Sequence, residues 1–196
     1  MRIRWIVAAA AFAALIVAVV VVSRSSTKPA AKPKPSVLSA AACPVDAKSA
    51  NLNFTMKDMS GKSVTLADYR GKVILLDFWA TWCGPCKYEI PGFVSLQETY
   101  GKDGLQVIGV SVDDTVEKLQ PFVKQFSMNY PVLLGLGHED VQDAYGPVIG
   151  IPISVIISRD GRICARHVGL PPSKSATDSL EKSVKDAFEA EIKSLL

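Results

Sequence analysis

Histidine is scarce in this chain: there are two in 196 residues, His138 and His167, isolated from each other and outside any recognisable ligand or triad pattern. Both read as ordinary surface or core residues. No Ser/His/Asp pattern and no glycine-rich phosphate loop is present, which argues against triad hydrolysis and nucleotide chemistry. Cysteine is sparse too, four in all, and they supply one C-x-x-C only. A zinc site built on paired C-x-x-C motifs therefore lacks its second half. No internal repeat is visible, and nothing points to a bound metal or cofactor. Acidic residues are missing from residues 1–42, which hold six of the 22 Lys and Arg; this leaves 16 basic and 19 acidic residues, a charge of −3, for the remainder. The overall +3 thus belongs to the N-terminal segment and marks no nucleic-acid partner.

What is present falls into three parts. Residues 5–22 are apolar without a charge, flanked by Arg2, Arg4 and Arg24. The run is longer than the roughly 7–15 residues of a signal-peptide core and reaches the ~17–25 needed to span a bilayer. Val21-Val22-Ser23-Arg24 is a poor cleavage site, so residues 1–22 read as an uncleaved single-pass anchor, with a removed signal as the alternative. Residues 23–42, with their Lys-Pro-Ala-Ala-Lys-Pro-Lys-Pro run, read as a semi-extended tether. Residues 43–196 suffice for one domain. Arg24, Lys28, Lys32 and Lys34 after the span outnumber Arg2 and Arg4 before it. Counted literally, that puts the domain on the cytoplasmic side; the redox chemistry below puts it outside, and an extracytoplasmic, periplasmic domain is the expectation.

The domain is organised around residues 73–92. Val73 to Trp79 is a run of apolar, partly β-branched residues, the pattern of a strand buried on both faces. The chain breaks at Gly84-Pro85 and continues as a helix over residues 89–100, with Cys83 and Cys86 at the junction. A helix N-terminus offers unpaired N–H groups and the positive end of the macrodipole, so a thiolate is stabilised there. A fall in thiol pKa from about 8.5 to about 7 corresponds to roughly 2 kcal/mol of preference for the charged form. A static disulfide or a pair of metal ligands is the alternative for these cysteines. Asp77 shares the parity of Leu75 and Trp79 and so points to a packed side, where an unpaired carboxylate is costly and its pKa rises. Glu89 follows Cys86 by one helical turn, within reach of the pair, with a solvated helix glutamate as the plainer reading. Pro91 falls inside the helix, where proline bends it.

Asp77-Phe-Trp-Ala-Thr-Trp-Cys-Gly-Pro-Cys86 resembles the active-site segment of the thioredoxin superfamily. Gly71-Lys72 ahead of the strand, with Glu89 and Pro91 after the cysteines, resembles its membrane-anchored TlpA/ResA branch. The resemblance covers roughly residues 51–196. It implies an α/β thioredoxin-like fold: a central mixed sheet flanked by helices, with an N-terminal β-hairpin and a central insertion before residue 150. It also implies that Cys83 is the exposed nucleophile, that Cys86 resolves the mixed disulfide, that Asp77 takes and returns the proton of Cys86, and that Glu89 tunes the pair. Pro152 is then the cis-proline beside the C-x-x-C, although the approach Tyr145-Gly-Pro-Val-Ile-Gly-Ile-Pro152 carries one residue, with Pro147, more than the family pattern. Ile153 stands where thioredoxins commonly carry a polar residue, which implies a more apolar substrate platform. Cys43 and Cys164 are either unrelated or, as in some TlpA-like proteins, a second, structural disulfide; export favours the bridge.

The remaining elements read directly from pattern. Short strands lie over residues 53–59 and 63–66 around Ser60-Gly61-Lys62, and a second apolar strand over 105–112. A helix spans 115–126, with Asp113, Asp114 and Thr115 as caps, followed by a strand over 131–134 and a helix over 139–145. A hairpin joins 153–157 to 163–168 through Asp160-Gly161, and an amphipathic helix covers about 177–195. The order gives α/β with a mixed sheet. Gly84-Pro85 and Ile151 resemble reducing thioredoxins more than oxidants of the DsbA kind, and this resemblance implies a reductase of protein disulfides. The resemblance implies disulfide-bearing substrates such as apocytochrome c or a copper-site protein of an oxidase, with electrons from a membrane thiol carrier. The rival readings are a thiol oxidase or isomerase, a thiol peroxidase (whose Pro-x-x-x-Thr/Ser-x-x-Cys pattern is missing), and a metal-handling chaperone.

Overall fold

The computed structural model describes residues 43–146, 149–172 and 179–196. The expected anchor over 1–22, the tether over 23–42, Pro147 and the first residues of the expected C-terminal helix lie outside the described residues. Among the described residues no helix is long and apolar enough to cross a membrane.

The run that reads as a doubly buried strand is one. Strand β3, Val73–Trp79, is buried at every position and lies in the middle of a five-stranded sheet. It pairs in parallel with β4 (Leu105–Ser111), which pairs in parallel with β5 (Val132–Leu134). On its other side it runs antiparallel to β6 (Ile153–Ile157), which pairs antiparallel with β7 (Ile163–Val168). The order is β5-β4-β3-β6-β7, a mixed sheet as expected, and a separate hairpin is made by β1 (Thr55–Lys57) and β2 (Ser63–Thr65).

Alternation along β3 divides the core. Ile74, Leu76 and Phe78 enter a cluster with Met56 and Val64 of the hairpin, Ile153, Val155 and Ile157 of β6, and Val141 of helix α3 (Glu139–Ala144). Val73 and Leu75 face the opposite layer, against Phe93 and Leu96 of α1 (Cys86–Tyr100) and Val184, Phe188 and Ile192 of α4 (Leu180–Lys193). These two helices meet closely: a Cβ placed on Gly92 would lie 3.1 Å from Val184 Cγ1, and Phe93 packs edge-on against Phe188 at 5.0 Å. Trp79 continues the row into a third cluster with Cys83, Cys86 and Ile90 and with Leu119 and Phe122 of α2 (Val116–Gln125).

Two boundaries differ from the sequence reading in ways that matter. Helix α1 begins at Cys86, not at 89, so the second cysteine is inside the first turn. A short 3-10 helix, Leu66–Tyr69, leads from the hairpin toward β3. Pro91 lies inside α1, which runs on to Tyr100. The first turn fixes the other half of the geometry: its N-cap is Pro85, which supplies no side-chain acceptor.

Each edge of the sheet is met at one point by another segment, which shortens the run of free ladder groups through which edge strands associate. Asp58 of the hairpin bridges to Leu133 of β5, and residues 48–50 run beside the start of β7, with Ile163 N–H donating to the Lys48 carbonyl at 2.8 Å. The second edge is also held covalently, because Cys43 and Cys164 form a disulfide across 121 residues. In the chain-entropy description, closing so long a loop stabilises by up to about 5 kcal/mol. Replacing both cysteines by serine is expected to lower the Tm of the oxidised protein by on the order of 10 °C. Calorimetry checks this, and an unchanged Tm would show that the bridge contributes nothing.

Candidate active site

At the N-terminus of α1 the sequence supplies sulfur where other helices place a capping oxygen. Cys83 and Cys86 are disulfide-bonded, and the Cys86 backbone N–H donates to Cys83 Sγ at 3.2 Å. Once the bond is reduced, the same N–H and the helix dipole favour negative charge on Cys83. Cys83 is the outer sulfur, but in degree only: the residue is 4% exposed and Cys86 0%, so the expected exposed nucleophile is a narrowly accessible one.

The loop that presents the pair is held by residues read above as helix caps. The buried Asp114 accepts hydrogen bonds from Thr81 N–H and Thr81 Oγ1, each at 2.7 Å, and from Ser111 Oγ at 2.9 Å. Asp113 accepts from the indole N–H of the exposed Trp82 at 3.0 Å. Thr115 is the N-cap of α2, but its side chain accepts no capping bond. The acidic pair therefore clamps the strand-to-helix turn instead of capping α2. Sequence spacing could not distinguish the two, because both place carboxylates just after β4.

The Ile151–Pro152 peptide is cis, and its residues face the redox pair: Cys83 Sγ lies 3.7 Å from the Ile151 carbonyl oxygen, an acceptor for the reduced thiol. The expectation that Ile153 forms an apolar platform is overturned. Ile153 starts β6 with the parity of Val155 and is 1% exposed in the hairpin-side core, on the sheet face away from the cysteines. The apolar surface near this loop comes instead from the exposed Trp82 and Ile149 and the half-buried Ile151.

Behind the cysteines, β3 carries Asp77 into the layer between sheet and helix. Its neighbours in register are Gly109 on β4 and Ser154 on β6. Gly109 leaves room rather than flexibility: a Cβ there would sit 2.7 Å from Trp79 Nε1 and 3.4 Å from Tyr130 Cε2. Glu89, one turn after Cys86, is 1% exposed, so the solvated reading of this residue is overturned. Ser154 Oγ lies 3.4 Å from Asp77 Oδ1 and 3.1 Å from Glu89 Oε1, tying the carboxyls of β3 and α1 together. Burial raises the Asp77 pKa to about 8, against a smaller lowering by Ser154. Burial first, and the charge of Asp77 second, push Glu89 well above the ordinary carboxylate range. Tyr130, whose hydroxyl is likewise buried, is pushed up by desolvation and by both carboxyls, and stays a neutral phenol. Ser154 and Tyr130 were not singled out from sequence. Ser154 becomes visible only when β6 is set in register against β3, and Tyr130 stands ahead of β5 without any motif.

Among the described residues there is no cluster of three or more His, Cys, Asp or Glu side chains able to hold a metal ion. The arrangement can exchange a disulfide at Cys83, resolve it at Cys86, and store protons on two buried carboxyls.

The buried Asp77 makes stability depend on pH. The folded protein keeps the proton to about pH 8, while the unfolded chain releases it near pH 4. Between these values the native state binds more protons, so stability falls as pH rises across that window, and the buried Glu89, also raised, adds to the fall. Asp77→Asn is expected to remove the Asp77 share of this slope, leaving that of Glu89, and to make the oxidised protein more stable than the parent above pH 8, by on the order of several kcal/mol, with the gap closing toward pH 5. Urea midpoints at the two pH values test it, and parallel pH profiles for both proteins would count against a buried neutral Asp77.

The comparisons with known proteins agree with this geometry. Residues 48–166 match the family model described as the AhpC/TSA family. The thiol-disulfide oxidoreductase ResA of Bacillus thuringiensis subsp. konkukian is 35% identical over 130 residues, 66% of this chain and 74% of that protein. A thiol:disulfide interchange protein of the thioredoxin family from Chlorobium tepidum has a TM-score of 0.57 at 30% identity, covering 72% of this chain and 98% of its own. A secreted disulfide oxidoreductase of Mycobacterium tuberculosis, described as homologous to DsbE of E. coli, has a TM-score of 0.56 at 25% identity over 69% of this chain and 96% of its own.

Proposed function

The chain belongs to the AhpC/TSA family and is a thiol–disulfide oxidoreductase of the ResA/DsbE type with a thioredoxin-like fold, and we propose that it works outside the cytoplasm as a reductase of protein disulfides. The observation that carries this reading is the Cys83–Cys86 pair on the first turn of α1, with Cys83 sulfur accepting from a helix N–H and facing the Ile151 carbonyl. In the reduced protein the Cys83 thiolate attacks one sulfur of a substrate disulfide, releases the other as a thiolate, and forms a mixed disulfide. Cys86 gives its proton to the ionised member of the Asp77–Glu89 pair and attacks Cys83 Sγ; the substrate leaves with its second sulfur as a thiolate, which takes a proton from solvent. Two electrons have passed to the substrate, and the Cys83–Cys86 bond has re-formed. Asp77 serves as the base because burial brings its pKa to about 8, matched to a thiol, and its charge in turn holds the proton on Glu89.

The direction of flow rests on Gly84-Pro85 and Ile151, which match reducing thioredoxins, and the location rests on the N-terminal segment and the redox chemistry. With residues 1–22 as a single-pass anchor and residues 23–42 as a tether, the domain would work on the outer side of the membrane. Electrons would come from a membrane thiol carrier. Apocytochrome c and copper-site proteins of an oxidase are the proposed substrates, presented across the apolar surface of Trp82, Ile149 and Ile151. No observation favours peroxidase chemistry: seven and three residues before Cys83, the peroxidatic Pro and Thr/Ser positions hold Leu76 and Ala80.

Alanine at Cys83 is expected to abolish disulfide reduction, and alanine at Cys86 to leave mixed disulfides that mass spectrometry identifies. The reduction potential of the full chain in detergent, read by alkylation, is expected at or below about −230 mV. A value near about −120 mV would identify an oxidant and remove the reductase reading.

A further inference from the structure

Ser154 has one hydroxyl proton and two carboxyl oxygens within hydrogen-bond reach, Glu89 Oε1 at 3.1 Å and Asp77 Oδ1 at 3.4 Å. A hydroxyl donates once and accepts through its lone pairs. If both carboxyls were ionised, Ser154 could donate to one only, and two buried charges would face each other. If both were protonated, one acid could donate to Ser154 Oγ while Ser154 donated to the carbonyl oxygen of the other, a weaker contact than one to a carboxylate. With one proton on the pair every contact is made: the protonated carboxyl donates to Ser154 Oγ, and Ser154 donates to the ionised one.

We propose that Ser154 is a positioning residue that joins Asp77 and Glu89 into one unit, and that in its working, singly protonated form it passes the proton between them. The step balances without a further reactant. Glu89 Oε1–H gives its proton to Ser154 Oγ as Ser154 O–H gives its proton to Asp77 Oδ1; two O–H bonds break and two form. The serine is unchanged, and one proton has moved from α1 to β3. During resolution the pair takes the Cys86 proton as its second and returns it when the disulfide is next reduced. The effect of Glu89 on the chemistry thus travels through Ser154.

The surroundings leave the pair to itself. On the β4 side stands Gly109, and beyond it Tyr130, a neutral phenol with a buried hydroxyl. On the β7 side His167 is in register with Ser154, but its Nε2 is 2.9 Å from Glu191 Oε2 of α4. From α1 come Glu89 and the two cysteines, and no cation is among the causes that shift either carboxyl.

This inference rests on the proposed role of the carboxyls as the base for Cys86, and one experiment separates the two. The reduced full chain in detergent is mixed with an aromatic disulfide, and stopped-flow absorbance follows the second thiolate released, which reports attack by Cys86. The pH profile is recorded for the parent, Asp77→Asn, Glu89→Gln, Ser154→Ala, Ser154→Thr and the Glu89→Gln/Ser154→Ala double variant. Glu89→Gln is expected to slow the second phase by on the order of tenfold at neutral pH. In the Ser154→Ala background the same change is expected to have less than about a twofold effect, and Ser154→Thr to restore the parental profile. Equal effects of Glu89→Gln in both backgrounds would overturn the link through Ser154 while leaving Asp77 as the base. A second phase unmoved by Asp77→Asn would remove the carboxyl-base reading itself. Should Ser154→Ala fail to fold by circular dichroism, Ser154→Gly takes its place in the same cycle.

Discussion

The structure depends on one expensive placement: two carboxyl groups in the apolar layer between the central strand and the helix that carries the cysteines. An isolated ionised carboxylate in such a layer is costly enough that the group keeps its proton instead. Asp77 can be held there because β3 is hydrogen-bonded on both sides, to β4 and β6, and buried along its whole length. A strand at the sheet edge would relax and let water reach the group. The same constraint selects its neighbours, since Gly109 and Ser154 in register with Asp77 are small enough to admit Trp79, Tyr130 and Glu89.

The redox pair is shaped by a complementary constraint at the N-terminus of α1. Pro85 as N-cap brings no side-chain acceptor, so the first helical N–H finds the Cys83 sulfur. Position matters here to a fraction of an ångström, and the loop before Cys83 is fixed accordingly. Asp114 takes three hydrogen bonds from Thr81 and Ser111, which locks the end of β3 to the end of β4. The helix, the cis peptide at Pro152 and this clamp approach the sulfur from three parts of the chain.

Much of this was legible in the sequence because it is local. The unbroken apolar run of β3, the Trp-Cys-Gly-Pro-Cys turn and the Asp-Gly hairpin each carry their signal within a few residues, and the mixed sheet follows from their order. The parity of Asp77 with Leu75 and Trp79 correctly gave a packed side. What the sequence hid is set by register between distant strands. Ile153 reads as a platform residue because it follows Pro152, yet strand alternation turns it to the far face. Asp113 and Asp114 read as caps because they precede a helix, yet the parallel pairing of β3 and β4 brings Thr81 and Trp82 to them first. The burial of Glu89 needed the third dimension, because one turn of helix places it beside Cys86 without saying what lies opposite. What lies opposite is Ser154, 65 residues away.

Thiol–disulfide exchange explains why such a costly arrangement suits the chemistry assigned to this fold. Each cycle frees a proton when Cys86 becomes a thiolate and takes one back when the disulfide is opened. An ordinary carboxylate, ionised above pH 4, is too weak a base to hold that proton against a thiol with a pKa of about 8.5. Burial alone moves Asp77 to about 8, within reach of the thiol, and no cation contributes to the shift to pull it back down. A second carboxyl then helps rather than harms. The charge of Asp77 holds the Glu89 proton more tightly, so only one negative charge has to be carried in the layer at a time. The stability forfeited by burying that charge is the physical counterpart of a base strong enough to serve the inner cysteine.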